Sequence, residues 1–504
     1  MSTRGRKTMV NTLMGILFEV VTVVCSFILP RLILSRFGSA YNGITASITQ
    51  FVSWVVLLRA GIGGVTRASL YHALAKDDRA EINGIIKATD IFMRKVAMIF
   101  LALLFVFACL YPVLVQEDFD WFFTFSLVLI IGSSTFVQNY YGITYKILLQ
   151  ADQRQYITIL IEIFTTILNT IVAAALILCG GSIHLVKLGS AVVFILNPLA
   201  IHYYARRRYQ IDTAAVPDNK ALAQRWDAFA QQVCVVINNN SALVILSMLS
   251  TLKEASVYTV YHMVINGVAK LVQTCTNNVC AAFGNMMARK EEKALQQNFA
   301  MFEWLVFTLV TTLFSITAVM CVPFVRVYTS GVTDVDYVRP MLGCLMTLGL
   351  MGNCLKIPYQ MMAEAAGHFR QTRNGAIAEA CINLTVSIVC AYLFGMVGVV
   401  IGTLAATTFR MLQYSIHTSR YILRRSWLYV LKNLLLFYGA FALVLILCLQ
   451  IPMEAINSYG TWIVYACIVG MVTLICVMLI NVVFYRKLMF STFRKVLGIL
   501  RKQR

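Results

Sequence analysis

Three basic residues, Arg59, Lys270 and Lys356, lie inside apolar stretches that are long enough to cross a membrane. A basic side chain at mid-bilayer costs about 2.5–3.5 kcal/mol on insertion scales, so each needs a polar environment or a role. At about 1.5 Å per helical residue, with the orientation argued below, they lie roughly 24 to 28 Å from the outer helix ends. A cavity open to the cytoplasm would solvate them and attract an anionic group. The sequence therefore predicts a cationic binding cavity.

Three further arginines extend this prediction, and all six basic residues also have a structural alternative. Arg67, two turns beyond Arg59, would mark the mouth of the cavity, and Arg31 and Arg36 follow Pro30 near the outer face. Arg31 and Arg36 are either a phosphate contact on the release side or interfacial anchors. The alternative for the others is that the side chain snorkels to the inner interface.

Glu19 lies about 17 Å into the first apolar stretch, close to the bilayer centre, and Asn11 lies two turns earlier. A carboxylate there would bind a coupling cation, carry a proton, pair with an arginine, or pack as a neutral hydrogen-bonded group. Gly61, Gly63 and Gly64 lack the strand that a nucleotide-binding loop requires, so we interpret them as a hinge or a close helix contact. Pro30 is a further hinge candidate because it can kink a helix. Weaker carboxylate candidates are Glu162, Glu303 and Glu379.

The elements that position these residues are fourteen apolar stretches. Hydrophobic residues make up 59% of the 504 residues and charged residues 13%, about half the charge of a soluble domain. Only helices and closed barrels satisfy the backbone in lipid, and stretches of this length are typical of helices. The sequence predicts an all-α integral membrane protein with spans near 8–34, 41–73, 89–115, 121–147, 155–180, 184–205, 228–249, 254–285, 297–323, 337–365, 371–394, 396–421, 427–450 and 459–485.

The distribution of basic residues sets the predicted orientation. Of the 42 Lys and Arg residues, 34 fall on the side of the N-terminus, which indicates that both termini are cytoplasmic. The net charge of +20 is therefore explained by topology, and we expect no nucleic-acid partner. The basic, amphipathic tail (486–504) is predicted to lie on anionic lipid. The 14 cysteines form no CxxC pair, so neither a metal site nor a cofactor is expected.

A weak internal repeat predicts two lobes. The tripeptide ILS at 33–35 recurs at 245–247, and LYHALAKDD (70–78) aligns with FGNMMARKE (283–291) at nearly the same offset. An even number of helices per lobe makes the repeats parallel. The predicted division is an N-terminal six-helix lobe (1–205), a cytoplasmic linker (206–227), a C-terminal six-helix lobe (228–425), an extra helix pair (426–485) and the tail (486–504).

Several segments of the chain resemble the bacterial polysaccharide transporters known as Wzx-type flippases, within the superfamily that also holds multidrug extruders. They are ILPRLILSRFGSAYNG (28–43), LLRAGIGGVTRASLY (57–71), YTSGVTDVDYVRP (328–340), AAGHFRQTRNGAIAEACINL (365–384) and GVVIGTLAATTFR (398–410). The resemblance implies two pseudo-symmetric six-helix lobes around a central cavity, with two extra C-terminal helices. It also implies an activity, which is to move undecaprenyl-diphosphate-linked oligosaccharide to the outer leaflet of the bacterial plasma membrane.

We therefore expect a lipid-linked oligosaccharide flippase that works by alternating access, with polysaccharide polymerase and assembly proteins as partners. The alternatives are a multidrug extruder on the same fold, a membrane-embedded polysaccharide polymerase or ligase, and a non-transporting scaffold. An extruder of cationic drugs would need cavity carboxylates, whereas the inner-half excess here is basic. An enzyme would usually need a large external loop, and the longest predicted external loop, around 323–339, is short.

Overall fold

Helices make up nearly all of the chain that the structure describes, and no strand occurs there. The structure is a computed structural model that describes residues 3–54, 62–76, 78–114, 119–152, 154–209, 211, 215–218, 240–276, 283, 286–287, 291–448, 450–486, 488–490 and 492. Most of the predicted linker (206–227), the first half of the predicted span 228–249 and the end of the tail lie outside the described residues.

We number the long helices in chain order. They are α1 (Thr3–Phe37), α2 (Ser39–Ser53), α3 (Ile62–Lys76), α4 (Arg79–Leu114), α5 (Trp121–Val137), α6 (Ile143–Ala151), α7 (Gln155–Leu178), α8 (Ile183–Tyr209), α9 (Asn240–Leu249), α10 (Leu252–Thr276), α11 (Glu292–Tyr328), α12 (Pro340–Leu355), α13 (Ile357–Ala365), α14 (Phe369–Phe394), α15 (Met396–His417), α16 (Trp427–Cys448) and α17 (Tyr459–Phe484).

Eleven helices in the described part of the chain are long and apolar enough to cross a membrane. The three remaining predicted spans, 41–73, 228–249 and 254–285, are largely helical where the structure describes them. Because lipid offers the backbone no hydrogen-bond partner, continuous helix is the form that such stretches must take. The prediction of an all-α, multi-pass membrane protein is confirmed.

The starts of α5 and α17 are fixed by side chains that accept hydrogen bonds from free backbone N–H groups. The carboxylate of Asp120 accepts a hydrogen bond from the backbone nitrogen of Phe122 at 3.2 Å, where α5 begins. Ser458 and Thr461 form a reciprocal capping box at the start of α17. Such caps satisfy donors that have no partner within the helix, and each typically contributes about 1 kcal/mol.

A π-helical turn, Gln138–Gly142, joins α5 to α6, so that the two form one continuous span. A similar turn, Thr418–Ile422, extends α15. A π-helical turn contains one residue more than a regular α-turn and frequently accompanies a functional site. The first of these turns also places two polar side chains, Gln138 and Asn139, on the wall of a cavity described below.

Helix packing divides the chain into two compact units. Unit 1 comprises Met1–Thr259 together with Gly331–Val335, and unit 2 comprises Val260–Ser330 and Asp336–Arg504. The lobes predicted at 1–205 and 228–425 stay a prediction. In unit 1, α7 packs against both α1 and α8, and α5 packs against both α4 and α8. An aromatic cluster in its core includes Phe51, Phe107 and the fully buried Tyr111.

The tightest hairpin in unit 2 is formed by α14 and α15, and two glycines four residues apart permit it. A Cβ atom at Gly398 would lie 1.9 Å from the carbonyl oxygen of Cys390, and one at Gly402 would lie 2.2 Å from the hydroxyl of Ser387. Small residues with this spacing let two helix backbones approach closely in a membrane, where packing replaces the hydrophobic effect. The hairpin turns at Gly395, which has a φ of +58°.

The C-terminal helices α16 and α17 dock on the long helix α11. The indole nitrogen of Trp304 donates to the Asn481 side chain at 2.6 Å, and that of Trp462 donates to the carbonyl of Met320 at 3.1 Å. At the end of α11, the guanidinium of Arg326 donates to the carbonyl of Ile456 at 3.0 Å, in the α16–α17 loop. Polar groups therefore fix α17 and the α16–α17 loop along the length of α11.

Candidate functional site

The predicted basic residues of unit 1 occupy different environments. Arg59 lies outside the described residues. Arg67 is exposed on α3, and its guanidinium donates to the side-chain oxygen of Gln150 at 3.3 Å. Arg31 is half-buried on α1, and Arg36 is exposed in the last turn of that helix. The roles predicted for these residues stay predictions.

In unit 2, Lys356 belongs to an ion cluster that connects three helices. Its ammonium group lies 3.4 Å from one carboxylate oxygen of Glu379, and the guanidinium of Arg410 lies 3.3 Å from the other. All three side chains are largely withdrawn from solvent. The cluster carries two positive charges and one negative charge, and so a net positive charge remains. Lys270 lies half-buried on α10.

Arg410 is a buried cation that the sequence analysis did not single out. Its guanidinium donates to the carbonyl of Thr372 at 3.0 Å, to the Gln413 side chain at 2.8 Å and to the Tyr414 hydroxyl at 2.9 Å. It also lies 4.1 Å from the centre of the Tyr414 ring. A guanidinium with this many partners is held in place rather than mobile. Its position inside the apolar helix α15 was the available signal.

The remaining predicted residues of α1 and α3 are placed as follows. The side-chain oxygen of Asn11 accepts from the backbone nitrogen of Tyr156 at 2.8 Å, where α7 begins. Glu19 is partly buried, and its Oε2 has no hydrogen-bond partner among the described residues. Gly63 and Gly64 lie in the first turn of α3, whereas Gly61 lies outside the described residues.

Pro30 lies inside α1 rather than at its end. A proline in that position removes a backbone donor and favours a kink. The hinge role predicted for Pro30 and for the glycines stays a prediction.

The weaker carboxylate candidates have basic partners. Glu162 pairs with Lys146. Glu303 accepts two hydrogen bonds from the Arg425 guanidinium, at 2.8 and 2.7 Å, and a third from the Tyr359 hydroxyl. Burial alone would lower the pKa of Arg425, but the hydrogen bonds and charge of Glu303 raise it above its ordinary value. This bidentate pair is structural in character, because every carboxylate oxygen is already bonded.

A cavity of about 420 Å³, lined by both polar and apolar side chains, opens within unit 1 and is here called the unit 1 cavity. Its walls come from α1, α2, α5, α7, α8 and the first π-helical turn. Lys187, near the start of α8, is the only charged residue among the described residues that line it. Most of the other lining side chains are hydroxyls and amides, including Ser134, Gln138, Asn139, Asn169 and Ser190.

The sequence analysis did not single out Lys187 as a site residue. It lies about 6 Å along α8 from Ile183, which is consistent with an anchor at the interface. The available signal for a cavity was the presence of polar residues inside several apolar spans, such as Asn169. These residues lie far apart in the sequence, so their meeting at one cavity could not be inferred without the fold.

Sequence comparison identifies no relatives: no protein-family model matches the chain, and no curated protein matches it. Solved structures do match. The solved structure of the lipid II flippase MurJ in an inward closed conformation is 15% identical, with a TM-score of 0.71, over 94% of this chain and 100% of the other. An inward-facing multidrug resistance MATE family transporter of the MOP superfamily is 12% identical, with a TM-score of 0.57, over 81% and 98%. The Vibrio cholerae MATE transporter VcmN is 15% identical, with a TM-score of 0.56, over 84% and 99%.

At these levels of identity the likeness shows the fold. All three neighbours are named as a flippase or as transporters, and the matches cover nearly the whole of each. This chain is a multi-pass membrane protein with the helical fold shared by MurJ and the MATE transporters of the MOP superfamily.

Proposed function

We propose that the chain is a flippase that moves a polyprenyl-diphosphate-linked oligosaccharide across the bacterial plasma membrane, with both termini in the cytoplasm. The observation that carries this proposal is the likeness to the lipid II flippase over 94% of the chain. The part of this chain that lies outside that match is shorter than the C-terminal helix pair α16–α17, so the match includes at least part of this pair. The MATE matches cover 81% and 84%. A substrate on a lipid carrier is therefore favoured over a free drug.

The charge of the chain supports an anionic headgroup. Within the spans, Arg59, Lys270 and the net positive cluster around Lys356 are candidates to neutralise a diphosphate. Neutralisation lowers the cost of moving a doubly charged group through a low-dielectric region. The polyprenyl chain would stay in lipid while the headgroup crosses. Alternating access, anionic lipid at the tail, and polysaccharide polymerase and assembly proteins as partners belong to the same proposal.

A flipping assay with the purified full-length chain tests the proposal. The protein is reconstituted in liposomes that contain a polyprenyl-diphosphate oligosaccharide with a fluorophore on its sugar, and dithionite is added outside. Without flipping, the reductant reaches the outer leaflet only. With flipping, we expect nearly complete bleaching, whereas a labelled phosphatidylcholine stays half-protected. Bleaching limited to the outer leaflet in protein-containing vesicles would refute the proposed function.

Variants in the same assay test the residues. Arg59→Ala and Lys270→Ala should each slow flipping at least about tenfold, which corresponds to about 1.4 kcal/mol. Arg208→Ala is the matched control, because Arg208 is exposed at the end of α8. Wild-type flipping rates in both Arg59→Ala and Lys270→Ala would refute the assignment of these residues.

A multidrug extruder is the second candidate, because the MATE likeness favours it at a TM-score of 0.57. Cells that express the chain should then expel a cationic dye such as ethidium faster than cells with an empty vector. We expect no difference, since the one charged residue among those described around the unit 1 cavity is a lysine. Dye efflux together with no flipping would favour the extruder.

A further inference from the structure

The unit 1 cavity contains a positive charge for which the residues described by the structure supply no counter-charge. Lys187 forms no ion pair or hydrogen bond with any residue that the structure describes, and no described acid lines the cavity. An ammonium group withdrawn from bulk water is costly unless an anion or several polar groups surround it. The charge therefore favours an anionic occupant and disfavours a metal cation or a cationic drug.

Two amides with unpaired side-chain oxygens line the same cavity as this charge. Asn169 is 6% exposed, and its side-chain oxygen has no hydrogen-bond partner among the described residues. Asn139 is 1% exposed, and its amide nitrogen donates to the carbonyl of Thr135 at 2.8 Å. Its oxygen has no partner in the described part of the chain. Buried polar groups are rarely left unpaired, so these amide oxygens point to an occupant that donates hydrogen bonds.

The size of the cavity further limits the kind of molecule that can occupy it. At about 420 Å³ it falls within the range of about 300–1,000 Å³ that is usual for small-molecule sites, and it greatly exceeds the space of a single ion. Hydroxyl groups on a ring would match the amides and the serine hydroxyls, and one carboxylate would match Lys187. An acidic monosaccharide unit meets all three requirements of charge, hydrogen bonding and volume.

We propose that the unit 1 cavity binds a sugar that carries a carboxylate, with Lys187 pairing with the carboxylate and Asn139 and Asn169 bonding the ring hydroxyls. The proposal rests on the proposed function only for the source of the sugar, which would be the glycan of the lipid-linked substrate. It specifies that this glycan contains an acidic residue. A free acidic sugar has the same chemistry and serves as the probe.

Binding of radiolabelled glucuronate to the purified full-length chain tests the site, with unlabelled glucuronate, glucose and acetate as competitors. We expect saturable binding, with glucuronate a stronger competitor than glucose and acetate. Lys187→Met should weaken glucuronate binding at least about tenfold, as for the loss of a charge-assisted hydrogen bond. Lys187→Arg should keep most of it. Lys432→Met is the matched control, because Lys432 is exposed on α16.

Asn169→Ala separates a sugar site from a simple anion site. It should weaken glucuronate and glucose by similar factors, whereas Lys187→Met should affect glucuronate far more than glucose. The proposal is overturned by any of three results: no saturable binding, unchanged affinity in Lys187→Met, or acetate that competes as well as glucuronate. All variants are first compared with the wild type by size-exclusion chromatography, so that misfolding is recognised.

The outcome is separable from that of the flipping assay, because no lipid-linked substrate is used. Absence of flipping together with Lys187-dependent glucuronate binding would refute the proposed function and leave the site standing. Flipping together with wild-type binding in Lys187→Met would refute the site and leave the function standing. If both stand, a lipid-linked glycan with a uronic acid should be flipped faster than its neutral counterpart, and Lys187→Met should remove the difference.

Discussion

Replacing Glu379 with glutamine should destabilise the chain far more than replacing Lys356 with methionine. The side chains of Glu379, Lys356 and Arg410 are 8%, 14% and 5% exposed. Glu379→Gln removes the one negative charge and leaves two buried cations facing each other. Breaking a buried ion pair from one side typically costs about 3–5 kcal/mol. Lys356→Met instead leaves a neutral pair between Glu379 and Arg410, so we expect a cost below about 1 kcal/mol.

The double variant Lys356→Met with Glu379→Gln provides the internal check. It leaves one cation, Arg410, which keeps its hydrogen bonds to Thr372, Gln413 and Tyr414. Because repulsion between the two cations is gone, the double variant should be more stable than Glu379→Gln alone by at least about 1 kcal/mol. Additive losses in this cycle would contradict the reasoning.

The measurement is thermal unfolding in detergent, followed with a thiol-reactive dye. Buried thiols such as those of Cys321 and Cys354 become reactive only when unit 2 opens. At about 2.1 cal/mol/K per residue, a chain of 504 residues that unfolds cooperatively has an unfolding entropy near 1 kcal/mol/K. The midpoint for Glu379→Gln should therefore fall by at least about 3 °C, since helices that persist in detergent reduce this entropy. A midpoint within about 1 °C of that for Lys356→Met would refute the argument.

Three further outcomes follow from individual contacts. Asp334→Ala removes two 2.7 Å hydrogen bonds, to the backbone nitrogen and the hydroxyl of Ser39. It should cost about 1–2 kcal/mol, seen as faster hydrogen exchange in the first turn of α2, and unchanged exchange there would contradict the capping role. Gly402→Ala puts a Cβ atom against Ser387 and should lower the yield of monodisperse protein in size-exclusion chromatography, whereas Gly439→Ala, which meets nothing within 4 Å, should not. Arg425→Lys replaces a bidentate pair with a single contact and should lower the unfolding midpoint, and a wild-type midpoint would show that the bidentate geometry adds no stability.

Much of the fold could be predicted from hydropathy, because span length and charge exclusion follow directly from the thickness and polarity of the bilayer. The spans 121–147 and 459–485, for example, correspond to α5–α6 and α17 within a few residues. Partners across helices could not be predicted in this way. Nothing in the spacing of Lys356 indicates that Glu379 and Arg410, on two other helices, meet it, since only residues three or four apart on one helix have a fixed relation.

For the candidate site too, some features could be predicted from single residues, whereas those that depend on helix packing could not. The sequence identified charged residues inside spans, because each has a cost that is visible one residue at a time. It did not identify the unit 1 cavity, because its lining consists of hydroxyls and amides that are individually unremarkable in an apolar helix. Asn169 can be recognised as part of a site only once the fold shows that Asn139 and Lys187 line the same cavity. A site assembled from weakly polar residues on five helices is a property of the packing.

The π-helical turn between α5 and α6 has a consequence for how the length of this chain can change. Since each residue of an α-helix rotates the chain by about 100°, deleting one residue from a regular span turns every later side chain toward a different neighbour. The turn at Gln138–Gly142 holds a surplus residue. Losing Tyr141 would restore regular hydrogen bonding and leave the faces of α6 where they are. Insertions and deletions among homologous chains should therefore accumulate at this turn and be rare in α7.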